Sequence, residues 1–314
     1  MKKGLDIARG FYEDFGRPMI REQFPELEGL IAVGLTGAGS ECFGYDDDIS
    51  RDHDFEPGFC LFLPGEDVVG RKQAFALERA YAKLPREYEG LTRSLMGPVG
   101  GVRRGVLRTS GYFEEKCGSG DGILTVGDWL RIPSFYLAEA TNGEIFRDDL
   151  GEVTAIRERL AAYPEDIRKK KLAGHLLLMA QAGQYNYRRC LLHGETGAAQ
   201  LAVLRFVQSA ISSAFLLNNT YEPYYKWAFR GLRGLPVLGT IAGPLEGLMT
   251  TDNDPDITAD KYDVIEEVAA AFITVLKEQA LTRATCGDLE KHAYSVNDGI
   301  EDAGIRNMNI LGAV

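Results

Sequence analysis

Several chemistries are barely represented in this chain. Its 314 residues hold four histidines and five cysteines. The cysteines (Cys42, Cys60, Cys117, Cys190, Cys286) are odd in number and far apart, with no CxxC pair and no histidine at zinc spacing. That speaks against a disulfide framework and a structural zinc site, and it fits a reducing cytoplasm. Positive charge is also short, because 35 Lys and Arg face 46 Asp and Glu, for a net charge of −11. No extended nucleic-acid surface is therefore expected. The two basic runs, "VRRGVLR" (Val102 to Arg108) and "RKKK" (Arg168 to Lys171), read as solvated faces.

Uninterrupted apolar stretches are missing as well. Ala198 to Leu217 is broken by Arg205 and Gln208, and Leu235 to Met249 by glycines, Pro244 and Glu246. Neither reaches the roughly 18 apolar residues of a membrane span, so no membrane partner is expected. The opening "MKKGLDIARGFYEDFG" meets charges before any apolar core of signal-peptide length. There is no internal repeat and no low-complexity segment.

What is present is an ordinary globular composition, 45% hydrophobic and 26% charged, at a length that suggests two domains. Residues 1–28 read as helices interrupted at Pro18 and Pro25, and "LIAVGLTG" as a buried strand ending in glycines. A second strand is expected in "HDFEPGFCLFL", with Phe59 to Leu63 at its centre, then a helix from Arg71 to Leu84. "GVLRTSGYFEEKCG" reads as a third strand, Trp129 to Ala140 as a short helix, and "NGEIFRDD" as a turn and small strand. This alternation predicts a mixed α/β domain over residues 1–150. Residues 151–314 show helical spacing, for example at Leu201, Leu204, Val207, Ile211 and Phe215, and predict a helical bundle. The fold class is α+β, with a small mixed sheet, flanking helices and a following helical domain.

One stretch concentrates chemistry. "GLTGAGSECFGYDDDISRDHDFEPGF" (Gly34 to Phe59) runs from a glycine turn into Asp46, Asp47, Asp48, Asp52, Asp54 and Glu56. Gly37, Gly39 and Ser40 end the apolar strand, so the backbone can approach an anion with N–H groups and a hydroxyl. If His53 lies in a strand, Asp52 and Asp54 point to one side with Cα atoms ~6.5 to 7 Å apart. Carboxylates so placed can hold two magnesium ions about 3.5 to 4 Å apart, which is the clamp used for in-line phosphoryl displacement. Asp46 or Asp48 could serve instead; Asp52 and Asp54 are preferred because an apolar strand follows them. Asp46 to Asp48 read better as a solvated loop or a helix cap.

This arrangement resembles the DNA polymerase β-type nucleotidyltransferases, in which a strand, Gly-Ser, a short helix and Asp-x-Asp on the next strand follow in order. Here the residues are Gly39-Ser40, Gly44 and Ser50-Arg51-Asp52-His53-Asp54. Arg51 intervenes where the family has serine directly before the first aspartate, and "YDDDI" lengthens the connection. "NNTYEPYYKWAFRGL" (Asn218 to Leu232) is similar to the Y-x-P-x-x-K-W segment of an uncharacterised bacterial family with a nucleotidyltransferase-like N-terminal half. The resemblance covers residues 28–235 and is strongest at 37–56.

The resemblance implies transfer of a nucleoside monophosphate from an NTP to a small-molecule or macromolecular acceptor, with Mg2+ held by Asp52 and Asp54. Gly39 and Ser40 would bind the phosphates, and Lys226 is the available cation for the triphosphate. The third carboxylate is assigned first to Glu115, beside Glu114, and second to Asp148 or Asp149. A non-catalytic nucleotide-binding regulator and a toxin or antitoxin component acting on a macromolecule are the alternatives. "DNDPDITADKYD" (Asp252 to Asp263) resembles a calcium loop but has Ile257 where the turn glycine belongs, and reads as a polar interhelical loop. Tyr221, Tyr224, Tyr225 and Trp227 could stack on a base or pack into the bundle.

Overall fold

At the centre of the first unit lie two short apolar strands, β1 (Ala32–Leu35) and β2 (Cys60–Leu63), with every residue buried. Apolar runs this short and continuous suit strands covered on both faces. The computed structural model describes residues 2–49, 55–93, 104–253 and 258–314, with side chains from Asp260 onward in the last segment. The chain is mixed α and β and forms two compact units, Met1–Leu124 with Ile132–Ala161, and Thr125–Arg131 with Ala162–Val314. The remaining strands are the hairpin β3 (Glu87–Tyr88) and β4 (Leu91–Thr92), then β5 (Gly105–Arg108) and β6 (Glu144–Arg147).

The four-stranded sheet has the order β5-β2-β1-β6. β1 is antiparallel to β2 and β6, and β2 is parallel to β5. Gly34 stands opposite Cys60, so the residues after β1 and those before β2 lie at the same end of the sheet. The helices around it are α1 (Gly4–Phe11), α2 (Arg17–Gln23), α3 (Arg71–Ala82), α4 (Thr109–Cys117), α6 (Ser134–Thr141) and α7 (Glu152–Arg159); α5 (Val126–Arg131) belongs to the second unit. Phe59, fully buried, meets Phe11, Tyr12 and Tyr81 at ring distances of 5.9, 5.4 and 5.1 Å. Burying one such ring contributes about 1.5–3 kcal/mol. The Tyr81 hydroxyl, its pKa pushed up to about 12 by burial, donates to the Phe59 carbonyl at 2.8 Å and accepts the Phe59 N–H at 3.1 Å. The chain leading into β2 is thereby fixed on α3.

The third strand is shorter than its sequence suggests, because only Gly105–Arg108 is extended and α4 takes over at Thr109. Phe113 and Cys117, four residues apart, bury one face of that helix, and Gly118 ends it at φ 73°. The expected helix from Trp129 to Ala140 is two helices, α5 and α6, separated at Ile132 and Pro133.

The second unit adds α8 (Glu165–Met179), α9 (Arg188–Leu192), α10 (Thr196–Leu217), α11 (Tyr225–Arg233), α12 (Ala242–Thr250), α13 (Thr258–Glu278), α14 (Leu289–Asp298) and α15 (Ala303–Arg306). A π-helical turn, Ala180–Tyr187, joins α8 to α9. α10 is long and apolar enough to cross a membrane by length and composition, but most of it is buried, against α8, the π-helical turn and α12. Its buried stripe runs through Ala199, Val203, Phe206, Val207, Ala210, Ile211 and Ala214, leaving Leu201 and Leu204 exposed. The "RKKK" run is not a solvated face, since Lys170 and Lys171 on α8 are both buried.

Candidate functional site

The glycine turn follows β1 directly. Gly37 has φ 121°, which only glycine tolerates. Asn142, just past α6, clasps it from below: the Gly37 N–H donates to Asn142 Oδ1 at 2.9 Å, and Asn142 Nδ2 donates to the Gly37 carbonyl at 2.8 Å. The buried Thr36 hydroxyl donates to the Glu139 carbonyl at 2.8 Å, and the Tyr112 hydroxyl donates to the same oxygen at 3.1 Å. Burial holds the Tyr112 pKa well above its ordinary value. The amide of Gly37 is thus engaged within the protein. No backbone acceptor is described for the N–H groups of Gly39 and Ser40, and the Gly39 N–H faces the buried Cys42 thiol.

Ser40 opens a short 3-10 turn, Ser40–Phe43, closed by Gly44 at φ 69°. Gly39 has an ordinary extended backbone, φ −70°, so space rather than conformation requires glycine there. A Cβ on Gly39 would fall 2.2 Å from the carboxylate of Glu41. Glu41 is buried and receives Arg104 Nη2 at 2.8 Å, while Arg104 Nη1 lies 3.5 Å from Glu56. Burial opposes the charge of Arg104, yet Glu41 and then Glu56 hold its pKa above the ordinary value. Lys116 pairs with buried Glu139 at 2.8 Å.

The acidic run divides by position. Asp46 is buried and accepts the Gly4 N–H at 3.0 Å, capping α1, with Lys3 Nζ 3.4 Å from its other oxygen. Asp48 is exposed. Asp52, His53 and Asp54 lie outside the described residues. Among the described residues, no group of three or more His, Cys, Asp or Glu is placed to hold a metal ion.

The expected strand location of the first-choice third carboxylates is corrected. Glu114 and Glu115 are on α4, not a strand, and both are exposed; Glu115 lies 3.7 Å from Lys116. Asp148 accepts the Thr154 N–H at 2.7 Å, and Asp149 accepts Arg147 Nε at 2.8 Å, so both are engaged. β5, the strand beside β2, carries Gly105, Val106, Leu107 and Arg108 and no carboxylate.

Residues 129–228 match the model of a family described as a domain of unknown function, DUF4037. The match covers less than half of the chain. Comparisons with curated proteins and with solved structures found no match. The matched segment contains Glu139 and Asn142, which hold the glycine turn from below, but not the turn itself. It also contains Arg157 on α7, which donates to the Thr141 carbonyl at 2.7 Å and whose pKa burial lowers.

Within the second unit, Lys226 is exposed at the start of α11, its ammonium 5.2 Å from the Trp227 ring centroid. Tyr221 is buried against Tyr163 at 4.9 Å, whereas Tyr224 and Tyr225 are exposed and lie 4.5 Å from each other. Only the first of these tyrosines packs as a bundle residue. Of the aspartate loop 252–263, residues 254–257 lie outside the described residues; Asn253 Oδ1 accepts Lys261 Nζ at 2.8 Å.

Sequence reasoning missed Glu41, Asn142 and Tyr112, and read Arg104, in fact buried, as part of a solvated basic run. Glu41 was adjacent to Ser40 and offered a weak local signal. Arg104 and Asn142 reach their partners from 63 and 105 residues away, respectively, and offered none.

Proposed function

We propose that the first unit is a magnesium-dependent nucleotidyltransferase, moving a nucleoside monophosphate from an NTP to an acceptor hydroxyl or similar group. The observation that carries this reading is one of topology. The glycine turn leaves β1 at the sheet end where the chain enters β2, its antiparallel neighbour, and the sequence between them holds Asp52-x-Asp54. The hard oxygen donors of Asp52 and Asp54 suit magnesium, which takes a few carboxylates plus phosphate oxygens and water. When bound, the metal would neutralise charge on the transferring phosphoryl group. In the reaction, the acceptor oxygen forms a bond to the α-phosphorus, the α–β phosphoanhydride bond breaks, and pyrophosphate leaves.

This chain's own contribution is orientation. The Ser40 N–H and hydroxyl would bind phosphate oxygens, and the Gly39 N–H could join them by leaving the Cys42 thiol. The clasp of Asn142 on Gly37 keeps the turn in one conformation before any ligand arrives. A second reading, a nucleotide-binding regulator without catalysis, is favoured by the absence of a carboxylate on β5 and by the exposure of Glu115.

The experiment is incubation with α-labelled NTPs, magnesium and cell extract, beside a direct binding measurement. Transfer of label that disappears in the Asp52→Asn, Asp54→Asn double variant is expected. Binding without transfer would select the regulator. The double variant should keep or gain thermal stability without metal, because repulsion between neighbouring carboxylates is relieved. Full transfer by the double variant would exclude these two residues.

A further inference from the structure

Arg104 has no part in the reading above, yet its enclosure asks for an explanation. Its side chain is 9% exposed, immediately before β5. One arm of the guanidinium reaches Glu41 at 2.8 Å and the other approaches Glu56 at 3.5 Å. The stem passes so close to Gly58 that a Cβ there would fall 2.6 Å from Arg104 Cδ. In the other direction, Glu41 lays its carboxylate against the Cα of Gly39. One planar group therefore links the 3-10 turn after Gly39, the chain entering β2 and the start of β5.

Charge alone does not account for the choice of arginine. Two carboxylates brought together out of water repel, and either a lysine or an arginine would offset that. A guanidinium differs because its donors are fixed in a plane and can hold two acceptors in different directions at once, whereas an ammonium on a flexible stem acts as a point charge. The arrangement specifies distance between the parts as well as neutrality.

We propose that Arg104 is a positioning residue for nucleotide binding. Held between Glu41 and Glu56, it sets the glycine turn against the chain entering β2, and it acts through Glu41 without touching substrate. This rests on the nucleotide reading given above.

The test measures binding of each of the four NTPs with magnesium by calorimetry, together with thermal midpoints, for wild-type protein and three variants. Arg104→Lys keeps the charge and removes the fork. Glu56→Gln keeps the Arg104–Glu41 pair and weakens the link from Arg104 toward β2. Leu77→Ala empties a fully buried site on α3 and reports what destabilisation alone does. We expect NTP affinity to fall about tenfold in Arg104→Lys and about threefold in Glu56→Gln, since small misplacements of a binding group are costly. Leu77→Ala should match wild-type affinity despite a lower midpoint. If wild-type protein binds no NTP, the nucleotide reading falls and this inference with it. If wild-type binds but Arg104→Lys and Glu56→Gln bind equally well, only the role of Arg104 is overturned. Equal affinity losses in Arg104→Lys and Leu77→Ala would overturn it too. Should Arg104→Lys fail to fold, Glu56→Gln alone decides, with unchanged affinity as the refuting result.

Discussion

Buried positive charge is handled in two ways in this protein. In the first unit, Arg104 faces the carboxylates of Glu41 and Glu56. In the second, the acceptors of Lys170 are Asn297 Oδ1 at 2.8 Å and the carbonyls of Met308 at 2.6 Å and Arg306 at 3.2 Å. Lys171 donates to the carbonyls of Leu130 at 2.9 Å and Ala313 at 3.3 Å. The electrostatic outcome follows from the partners. Carboxylates hold the Arg104 pKa up against burial, whereas burial lowers both lysines, Lys171 to about 8. Carbonyl dipoles satisfy an ammonium's donors without replacing the solvation of its full charge.

The lysines tie helix ends together. Arg306 ends α15, Leu130 lies in the last turn of α5, and Ala313 is in the C-terminal turn, where carbonyls lack helical partners. Lys170→Met should therefore have the largest effect on stability. It preserves volume and removes the donor to Asn297 Oδ1 and the Met308 carbonyl, while the Arg306 carbonyl keeps Asn297 Nδ2 at 3.2 Å, for an expected loss of about 2–4 kcal/mol. A denaturant titration that follows the second unit checks it. A loss below about 0.5 kcal/mol would place the lysine among solvated surface charges and erase the contrast.

Next in size is a pH effect. A lysine whose folded pKa, about 8, lies below its unfolded value carries fewer protons folded than unfolded between the two. Stability should rise with pH between about 8 and about 10.4, by roughly 1–3 kcal/mol across the window. His175, lowered to about 3 by burial with Lys171 and Arg205 nearby, titrates outside it. Buried tyrosines such as Tyr81 act in the opposite direction above about pH 10. The measurement is thus the difference between wild type and Lys171→Met at each pH. The stability of wild type minus that of Lys171→Met should therefore increase as pH rises through that window, and a constant difference would refute the assignment.

Legibility in the sequence followed the same division. β1, β2 and α3 were readable because each is a short-range pattern: an apolar run ended by glycines, or helical spacing after a glycine. α4 was not, because "GVLRTSGYFEEKC" begins as a strand and only the spacing of Phe113 and Cys117 marks the change. Lys170 and Lys171 looked solvated because their acceptors come from residues 127 to 142 positions away, apart from Leu130, and sequence spacing carries no trace of such partners. At the candidate site, the glycine turn was legible as the end of β1, but the engagement of the Gly37 amide was not. The Arg104–Glu41 pair and the Asn142 clasp depend on the folded sheet and were not.

The smallest effect separates carboxylates that look alike in the acidic run. Asp46 resembles Asp52 in sequence, but its role in the structure is local: it caps α1 through the Gly4 N–H and stands beside Lys3. Loss of a cap costs about 0.5–2 kcal/mol. Asp46→Ala should destabilise the first unit by about 1 kcal/mol, and Asp46→Asn by less, because an amide oxygen can still accept from Gly4 while losing the attraction of Lys3. Both variants should lower NTP affinity far less than Arg104→Lys, since Asp46 makes no hydrogen bond described to Glu41 or Arg104 and the Gly4 end of α1 meets Glu41 by packing alone. Measured beside Arg104→Lys, the pair of variants distinguishes a carboxylate that holds a helix from a cation that sets a turn. If Asp46→Ala weakened NTP binding as much as Arg104→Lys, the turn would be responding to any loosening of the first unit, and the special position of Arg104 would be lost.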